Sequence, residues 1–236
     1  MDFSHHPSNT PLTPSTTPSL RAPTRVGRVV DNVEALMGGP SHGDSSESEE
    51  AYHYHSKVMI KEPSVGGAWE WHQDYGYWYS NGCLVPRMDS VLIALNDHTV
   101  ENGCLRVMPK THHMGRVTHE TTGGQAGADS ARLEHIHQRY EDVPVTLSAG
   151  DVLFFHCNLF HASTANTSPD PRWSMISCFN ARSNDPTHAH HHPCYTPHDR
   201  WSDRAIMDLA GVGIEDGDGT VFMDASEDKS SEGEGQ

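Results

Sequence analysis

The chain is 236 residues long, has a formal net charge of −16 and contains 19 histidines, and 35% of its residues are hydrophobic. That length allows one domain with tails, and the hydrophobic fraction is below the roughly 45–50% of an ordinary globular chain. Residues 1–50 sum to −4 and residues 215–236 to −7, so the ends carry eleven of the sixteen negative charges. The composition therefore indicates an ordinary core diluted by polar tails.

The charge and hydropathy patterns exclude several classes of partner. Without a basic stripe to contact phosphates, nucleic acid is not expected as a partner. No apolar run approaches the roughly 20 residues of a membrane span, and neither a signal peptide nor a C-terminal peroxisomal signal is seen. Five cysteines without C-x-x-C spacing favour reduced thiols. We therefore expect an intracellular, cytoplasmic protein with no membrane partner, and the choice between monomer and dimer is open.

The first fifty residues predict little regular structure. Residues 1–25 are rich in Ser, Thr and Pro, a composition typical of a disordered tail. Residues 26–50 are predicted to hold one short amphipathic helix and an acidic, solvated loop. The helix prediction covers 26–38, where valine, leucine and methionine recur at helical spacing before a Gly-Gly-Pro stop signal.

Residues 51–214 have a different texture. Short segments rich in β-branched and aromatic residues alternate with Gly, Pro, Asn and Asp, which predicts the short strands of an all-β barrel or sandwich. A polar stretch at 123–142 carries apolar residues at helical spacing and predicts one surface helix. Residues 215–236 are acidic and rich in Gly and Ser, and they are predicted to form a second disordered tail. The predicted strands lie within 52–60, 90–96, 103–109, 143–147, 151–156 and 173–180.

Two histidine-containing segments suggest a metal site. His72 and Asp74 are separated by one residue, so both side chains leave the same face of an extended segment. A second segment, at the end of an apolar strand, offers a third nitrogen from either His156 or His161. Two histidines and one carboxylate form the facial triad of non-heme Fe(II) oxygenases, which leaves positions open for a co-substrate and O₂. Arg172, on the next apolar strand, supplies a guanidinium suited to binding a carboxylate.

Each of these features also has an ordinary structural interpretation. Among 19 histidines, H-x-D pairs arise by chance, and a single arginine is commonly part of a surface ion pair. The aromatic residues Trp69, Tyr75 and Trp78 beside the motif belong either to the core or to a substrate mouth. The run from His188 to His192 is interpreted as a flexible surface tract in preference to an adventitious metal chelator.

Five stretches, in their order along the chain, give the sequence a more specific character: YHYHSKVMIKEP, WEWHQDYGYW, NGCLRVMPKTH, AGDVLFFHCNLFHAS and DPRWSMISCFNARSNDP. Together they resemble the phytanoyl-CoA dioxygenase family, which includes ectoine hydroxylase, over roughly residues 29–201. The resemblance implies a mainly β fold: a double-stranded β-helix (jelly-roll, cupin-like) barrel with a few flanking helices and disordered tails. It further implies that residues 51–214 form an Fe(II)- and 2-oxoglutarate-dependent dioxygenase barrel that uses O₂.

The resemblance also assigns the catalytic metal ligands. His72 and Asp74 match the first two iron ligands of the family, and His161 matches the third. His156 is then a histidine of the core or one that supports the ligands. Because relatives that halogenate replace the carboxylate with a small residue, Asp74 favours hydroxylation.

The remaining assignments concern the co-substrate and the reaction. Arg172 matches the residue that pairs with 2-oxoglutarate, Ser163 matches a hydroxyl that assists it, and Lys57 is expected to face the co-substrate. The implied reaction hydroxylates an unactivated C–H of a small-molecule metabolite of unknown identity, with release of succinate and CO₂. The competing hypothesis is a catalytically impaired metal-binding or interaction protein on the same barrel, because the region before residue 51 is shorter than in relatives.

Overall fold

The computed structural model describes residues 9–11, 22–38, 49–64, 66–122 and 125–209. The α-helices in this part of the chain are α1 (Gly27–Met37), α2 (Tyr75–Trp78), α3 (Ser130–His137) and α4 (Asp203–Leu209). The strands are β1 (Asn9–Pro11), β2 (Ala51–Lys61), β3 (Trp69–His72), β4 (Met88–Ala94), β5 (Leu105–Val107), β6 (His119–Thr122), β7 (Gln125–Ala128), β8 (Val143–Val145), β9 (Val152–His156), β10 (His161–Ser163) and β11 (Arg172–Ala181). Each of the six predicted segments overlaps a strand, and the predicted helices correspond to α1 and α3.

The strands form two main antiparallel sheets and a hairpin. One sheet has the order β1-β2-β11-β4-β9, the other has the order β3-β10-β5-β8, and β6 pairs with β7. The prediction of a mainly β fold is confirmed. Among the described residues, no ladder joins the two main sheets into a closed barrel.

Strand β4 shows why the larger sheet forms from nearly continuous apolar sequence. Val91 packs on one face of the sheet, in a cluster with helix α1. Leu92 packs on the other face, with Leu105 of the second sheet and Phe155 of β9. Because the sheet is covered on both sides, successive residues of this strand are buried and the polar alternation of a one-sided sheet is lost.

Helix α1 covers the outer face of the larger sheet. Its buried residues Val30, Val33 and Met37 pack in the cluster that contains Val91 and Phe179. Burial of each such side chain contributes about 1.5–3 kcal/mol, before the cost of ordering the helix. Helix α1 therefore packs as part of the same core as the sheet.

Within residues 1–25, which are predicted to be a disordered tail, the structure describes two short pieces of regular backbone. Asn9–Pro11 pairs with the edge of β2, a backbone interaction that needs no apolar side chains. Ala22–Thr24 forms a 3₁₀ turn in which Ala22 and Thr24 are buried. The remainder of 1–21 and all of 210–236, which includes the second predicted tail, lie outside the described residues.

The predicted solvated loop also ends in specific contacts. Most of it, residues 39–48, lies outside the described residues. At its end, Glu49 forms an ion pair with Arg87 at 2.9 Å, and the Glu49 side chain is only 14% exposed. Glu50 accepts a hydrogen bond from Tyr195 and pairs with Arg182. The end of the acidic run therefore ties two loops to β2.

The prediction of a flexible surface tract at the histidine run is wrong for His192. This side chain is only 8% exposed, and its ring stacks on that of His55 with centroids 4.8 Å apart. Its ring also lies 4.5 Å from that of Tyr54, whereas His188 and His191 are exposed. Aromatic packing, which the polarity of the run conceals, holds His192 in place.

Within the described part of the chain, no helix is long and apolar enough to cross a membrane.

Candidate metal centre

The ladder between β3 and β10 places His72 directly opposite His161, with ring centroids 4.1 Å apart. Asp74 follows two residues after His72, at the start of α2. Its Oδ1 lies 3.7 Å from His72 Nε2 and 3.5 Å from His161 Nε2. Each of these three side chains offers one ligand atom, and the three atoms lie within 4.8 Å of one another. Within the described residues, this is the group that could hold a metal ion.

Hydrogen bonds fix the orientation of all three side chains. His72 Nδ1 donates to the carbonyl of Glu70 at 2.7 Å, and His161 Nδ1 donates to the carbonyl of Leu159 at 2.9 Å. Because both Nδ1 atoms carry the proton, both Nε2 lone pairs point toward the shared site. Ser90 Oγ donates to Asp74 Oδ2 at 2.8 Å, which leaves Oδ1 for the metal.

The electrostatics of the three groups suit a divalent cation. Burial lowers the pKa of His161 to about 4, so its imidazole is neutral near pH 7 and can donate a lone pair. Burial alone would raise the pKa of Asp74, but the two histidines and the Ser90 hydrogen bond outweigh it and hold that pKa well below its ordinary value. Two imidazoles and one carboxylate are the donor set of non-heme Fe(II) sites.

Arg172 lines the same pocket as the three potential ligands. Its side chain is buried, and Nη1 donates to Ser174 Oγ at 3.0 Å. Nε and Nη2 are buried and have no hydrogen-bond partner among the described residues. Burial lowers the pKa of this guanidinium to about 10. A buried cation with unused donors is expected to receive an anion from outside the chain.

Lys61 lies beside Arg172 and was not predicted as a site residue. It is completely buried, and its Nζ donates to Ser163 Oγ at 2.8 Å and to the carbonyl of Thr164. Because Ser163 Oγ accepts this hydrogen bond, its own hydroxyl hydrogen can be donated to a ligand in the pocket. Burial, together with the charge on Arg172, lowers the pKa of Lys61 to about 7.

Lys57 also lines the pocket, but at a different level. Its Nζ lies 5.6 Å from the centroid of the Trp69 ring, a cation–π contact. Lys57 and Lys61 are four residues apart on β2, so they leave the same face of the strand about 13 Å apart along it. The pocket therefore has two cationic groups: the Arg172 guanidinium at one end and the Lys57 ammonium nearer the middle.

The other predicted residues are divided between the pocket and the core. Trp69 and Trp78 line the pocket, and Trp78 also packs with Tyr75 in a core cluster. Tyr77, which was not predicted, lines the pocket as well. His156 lies outside the group of potential ligands, and its Nδ1 accepts the backbone N–H of Asn158 at 3.0 Å. The structure thus brings together the six residues that were predicted as site residues: Lys57, His72, Asp74, His161, Ser163 and Arg172.

Sequence reasoning missed Lys61 and Ser90, which both contact predicted site residues. The alternation of β2 could have identified Lys61, because it shares the face of Lys57. Ser90 lies sixteen residues after Asp74 on another strand, and no local pattern in the sequence links the two. Only the pairing of β4 within the larger sheet brings its hydroxyl to the carboxylate.

Comparisons with known proteins bear on the family and the fold of this chain. The family model described as phytanoyl-CoA dioxygenase matches residues 5–174, a range that contains the three potential ligands and Arg172. Among solved structures, EctD from S. alaskensis, crystallised with 2-oxoglutarate and 5-hydroxyectoine, superimposes with a TM-score of 0.69 at 22% identity. The alignment covers 83% of this chain and 67% of that one, and the likeness confirms the predicted jelly-roll fold.

Two curated relatives are similar in sequence. L-proline trans-4-hydroxylase from Streptomyces griseoviridis is 30% identical over 181 residues, which cover 70% of this chain and 63% of the relative. Ectoine dioxygenase from Halomonas elongata is 30% identical over 176 residues, which cover 68% of this chain and 51% of the relative. The chain thus spans between half and two thirds of the length of these relatives. By the extent of the family match, the chain belongs to the phytanoyl-CoA dioxygenase family.

Proposed function

We propose that this chain is an Fe(II)- and 2-oxoglutarate-dependent dioxygenase that hydroxylates an unactivated C–H of a small-molecule metabolite. One observation carries the proposal. The convergent atoms of His72, Asp74 and His161 share a pocket with Arg172, a buried guanidinium that has two unused donors. A facial triad beside a carboxylate receptor is the combination that this chemistry requires. The similarity to L-proline trans-4-hydroxylase and to ectoine dioxygenase supports it.

The three ligands would hold Fe(II) through His72 Nε2, Asp74 Oδ1 and His161 Nε2. The carbonyls of Glu70 and Leu159 keep the two imidazoles in the required tautomer. The carboxylate offers one oxygen to the metal while Ser90 holds the other. These hydrogen bonds would hold the imidazoles and the carboxylate in the orientation that the metal requires.

Arg172 and Ser163 would bind the distal carboxylate of 2-oxoglutarate. The two unused guanidinium donors of Arg172 suit a bidentate contact, and the Ser163 hydroxyl adds a third hydrogen bond. Lys61 contributes a positive charge behind Ser163 without a direct contact. We extend the proposal to Lys57, whose ammonium above Trp69 would contribute to co-substrate binding nearer the metal.

When bound together, Fe(II), 2-oxoglutarate and O₂ supply the oxidant for C–H hydroxylation, with succinate and CO₂ as by-products. The chain's own task is to hold these groups, to exclude water and to aim the substrate carbon. Trp69, Tyr77 and Trp78 line the pocket and would enclose an apolar part of the substrate.

Succinate formation tests the proposal. The purified chain, supplied with Fe(II), 2-oxoglutarate, O₂ and a panel of small carboxylic acids and amino acids, should form succinate. Asp74→Ala should abolish succinate formation, because two imidazoles alone hold Fe(II) too weakly. A wild-type chain that binds Fe(II) and 2-oxoglutarate but forms no succinate would support the competing hypothesis of a catalytically impaired protein on this fold.

A further inference from the structure

Gln73, the residue between the two ligands His72 and Asp74, is completely buried and joins three segments. Its Nε2 donates to the carbonyl of Asn158 at 3.0 Å and to that of Gly115 at 3.3 Å. Its Oε1 accepts the backbone N–H of Val117 at 2.8 Å. The side chain thus ties the ligand loop to residues 115–117 and to the turn that precedes β10.

His119, the first residue of β6, contacts the backbone of the same loop. Its Nδ1 donates to the carbonyl of Val117 at 2.7 Å, which leaves Nε2 as an acceptor. Nε2 accepts the backbone N–H of Gln73 at 2.9 Å. The hydrogen-bonded peptide N–H therefore lies between the residues that carry two of the three potential metal ligands.

The same imidazole packs against the loop beyond Asp74. A Cβ built on Gly76 would overlap the His119 ring, so the ring lies directly on bare backbone. The ring also makes an edge contact with Tyr77, with centroids 5.0 Å apart. His119 therefore contacts the chain on both sides of Asp74: at the residue before it and at the second and third residues after it.

We propose that His119 is a positioning residue of the metal centre. Through the N–H of Gln73 and the backbone of Gly76, it holds the segment that places Asp74 Oδ1 within reach of both Nε2 atoms. It has no role as a ligand, because Nδ1 and Nε2 are both engaged elsewhere. The inference rests on the proposed function, since it requires that His72, Asp74 and His161 bind a metal.

Two matched variants separate the hydrogen bond from general packing. His119→Gln can place its amide oxygen where Nε2 stands and keep the acceptor for Gln73. His119→Asn places its amide where Nδ1 stands, so it keeps the contact with Val117 and loses the one with Gln73. His113, an exposed histidine of the same segment, provides His113→Asn as a control.

The measurement is Co(II) binding to the metal-free chain, followed by calorimetry and by the d–d absorption of the bound ion. His119→Asn should weaken Co(II) binding about 10- to 100-fold, the usual effect of losing a group that supports a ligand, and should alter the d–d bands. His119→Gln and His113→Asn should bind within about threefold of wild type, with unchanged bands. The thermal unfolding of each metal-free variant shows that it is folded.

Gly76→Ala tests the packing contact independently. The added methyl should displace the His119 ring and weaken Co(II) binding in the wild-type background. In a His119→Ala background it should cause little further loss, because the ring that it would strike is absent. This comparison of Gly76→Ala in two backgrounds tests the proposal even if His119→Asn does not fold.

Three outcomes would count against the proposal. Wild-type affinity and unchanged bands in His119→Asn overturn it, and so does an effect of Gly76→Ala that is the same in both backgrounds. In both cases the proposed function stands, because the wild-type chain still binds the metal. A wild-type chain that binds no Co(II) overturns the proposed function together with this inference.

Discussion

Arg172 and Lys61 lie directly opposite each other in the ladder between β11 and β2, and both side chains are almost completely excluded from solvent. No carboxylate among the described residues forms an ion pair with either of them. Two buried cations side by side raise the free energy of the folded chain. Such an arrangement is expected where an anionic ligand completes the site.

Replacement of Arg172 should weaken 2-oxoglutarate binding without lowering the stability of the ligand-free chain. In Arg172→Met, we expect 2-oxoglutarate to bind about 100-fold more weakly, because the carboxylate loses a buried charge-assisted pair worth about 2–5 kcal/mol. The ligand-free variant should be at least as stable as wild type, because an unpaired buried charge is gone. Thermal unfolding with and without 2-oxoglutarate and Mn(II) measures both effects. Equal ligand-induced stabilisation in the two proteins would contradict the assignment.

The pKa of Lys61 predicts a stability change above neutral pH. The folded-state value is lowered to about 7 from an ordinary 10.5. Between these two values the unfolded chain binds a proton that the folded chain lacks, so the free energy of unfolding should increase with pH across this window. Lys61→Met should lose that increase. Urea unfolding at pH 7 and pH 9 tests it, and an equal pH response in both proteins would refute it.

The buried histidines predict a loss of folding stability at acidic pH. Burial lowers the pKa of His55 to about 3 and that of His198 to about 4, and it also lowers the pKa of His192. Each is neutral when folded and protonated when unfolded below about 6.5, so stability should fall as the pH drops below that value.

His192→Phe, which retains an aromatic ring against His55, should show a smaller loss of stability between pH 7 and pH 5. Thermal unfolding at both values measures the loss, with the exposed His113→Phe as the control. If the two variants lose the same stability, His192 is not one of the responsible groups.

Ser90 should tune the metal affinity through Asp74. In Ser90→Ala, the carboxylate loses the donor that fixes Oδ2, and we expect Fe(II) or Co(II) to bind about tenfold more weakly. Ser80→Ala, on an exposed position, is the matched control. Calorimetric titration gives both affinities, and unchanged binding in Ser90→Ala would mean that this hydrogen bond does not support the ligand.

The sequence predicts those elements of the fold and the site that depend on residues close together in the chain. The spacing of His72 and Asp74, the apolar segments of the sheets and the helical repeat of α1 are properties of neighbouring residues, and they predicted the corresponding elements. Whether His156 or His161 joins the first two ligands depends on the pairing of β10 with β3, which spacing alone left open.

Contacts between distant segments account for what was missed. Ser90 and His119 reach the ligand loop only through sheet pairing and a hairpin, and neither belongs to a recognisable motif. The burial of His192 depends on the aromatic rings of Tyr54 and His55, which lie more than 130 residues earlier in the chain. A polar run in the sequence carries no sign of such a partner.

The central claim is that the His72, Asp74 and His161 site and Arg172 bind Fe(II) and 2-oxoglutarate as one unit. Anaerobic titration of the metal-free chain with 2-oxoglutarate, with and without Fe(II), tests it through the visible charge-transfer band of the chelate. We predict a saturable band that requires Fe(II), is absent in Asp74→Ala and needs about 100-fold more 2-oxoglutarate in Arg172→Met. A folded wild-type chain that gives no band, or one that persists in Asp74→Ala, would contradict the account.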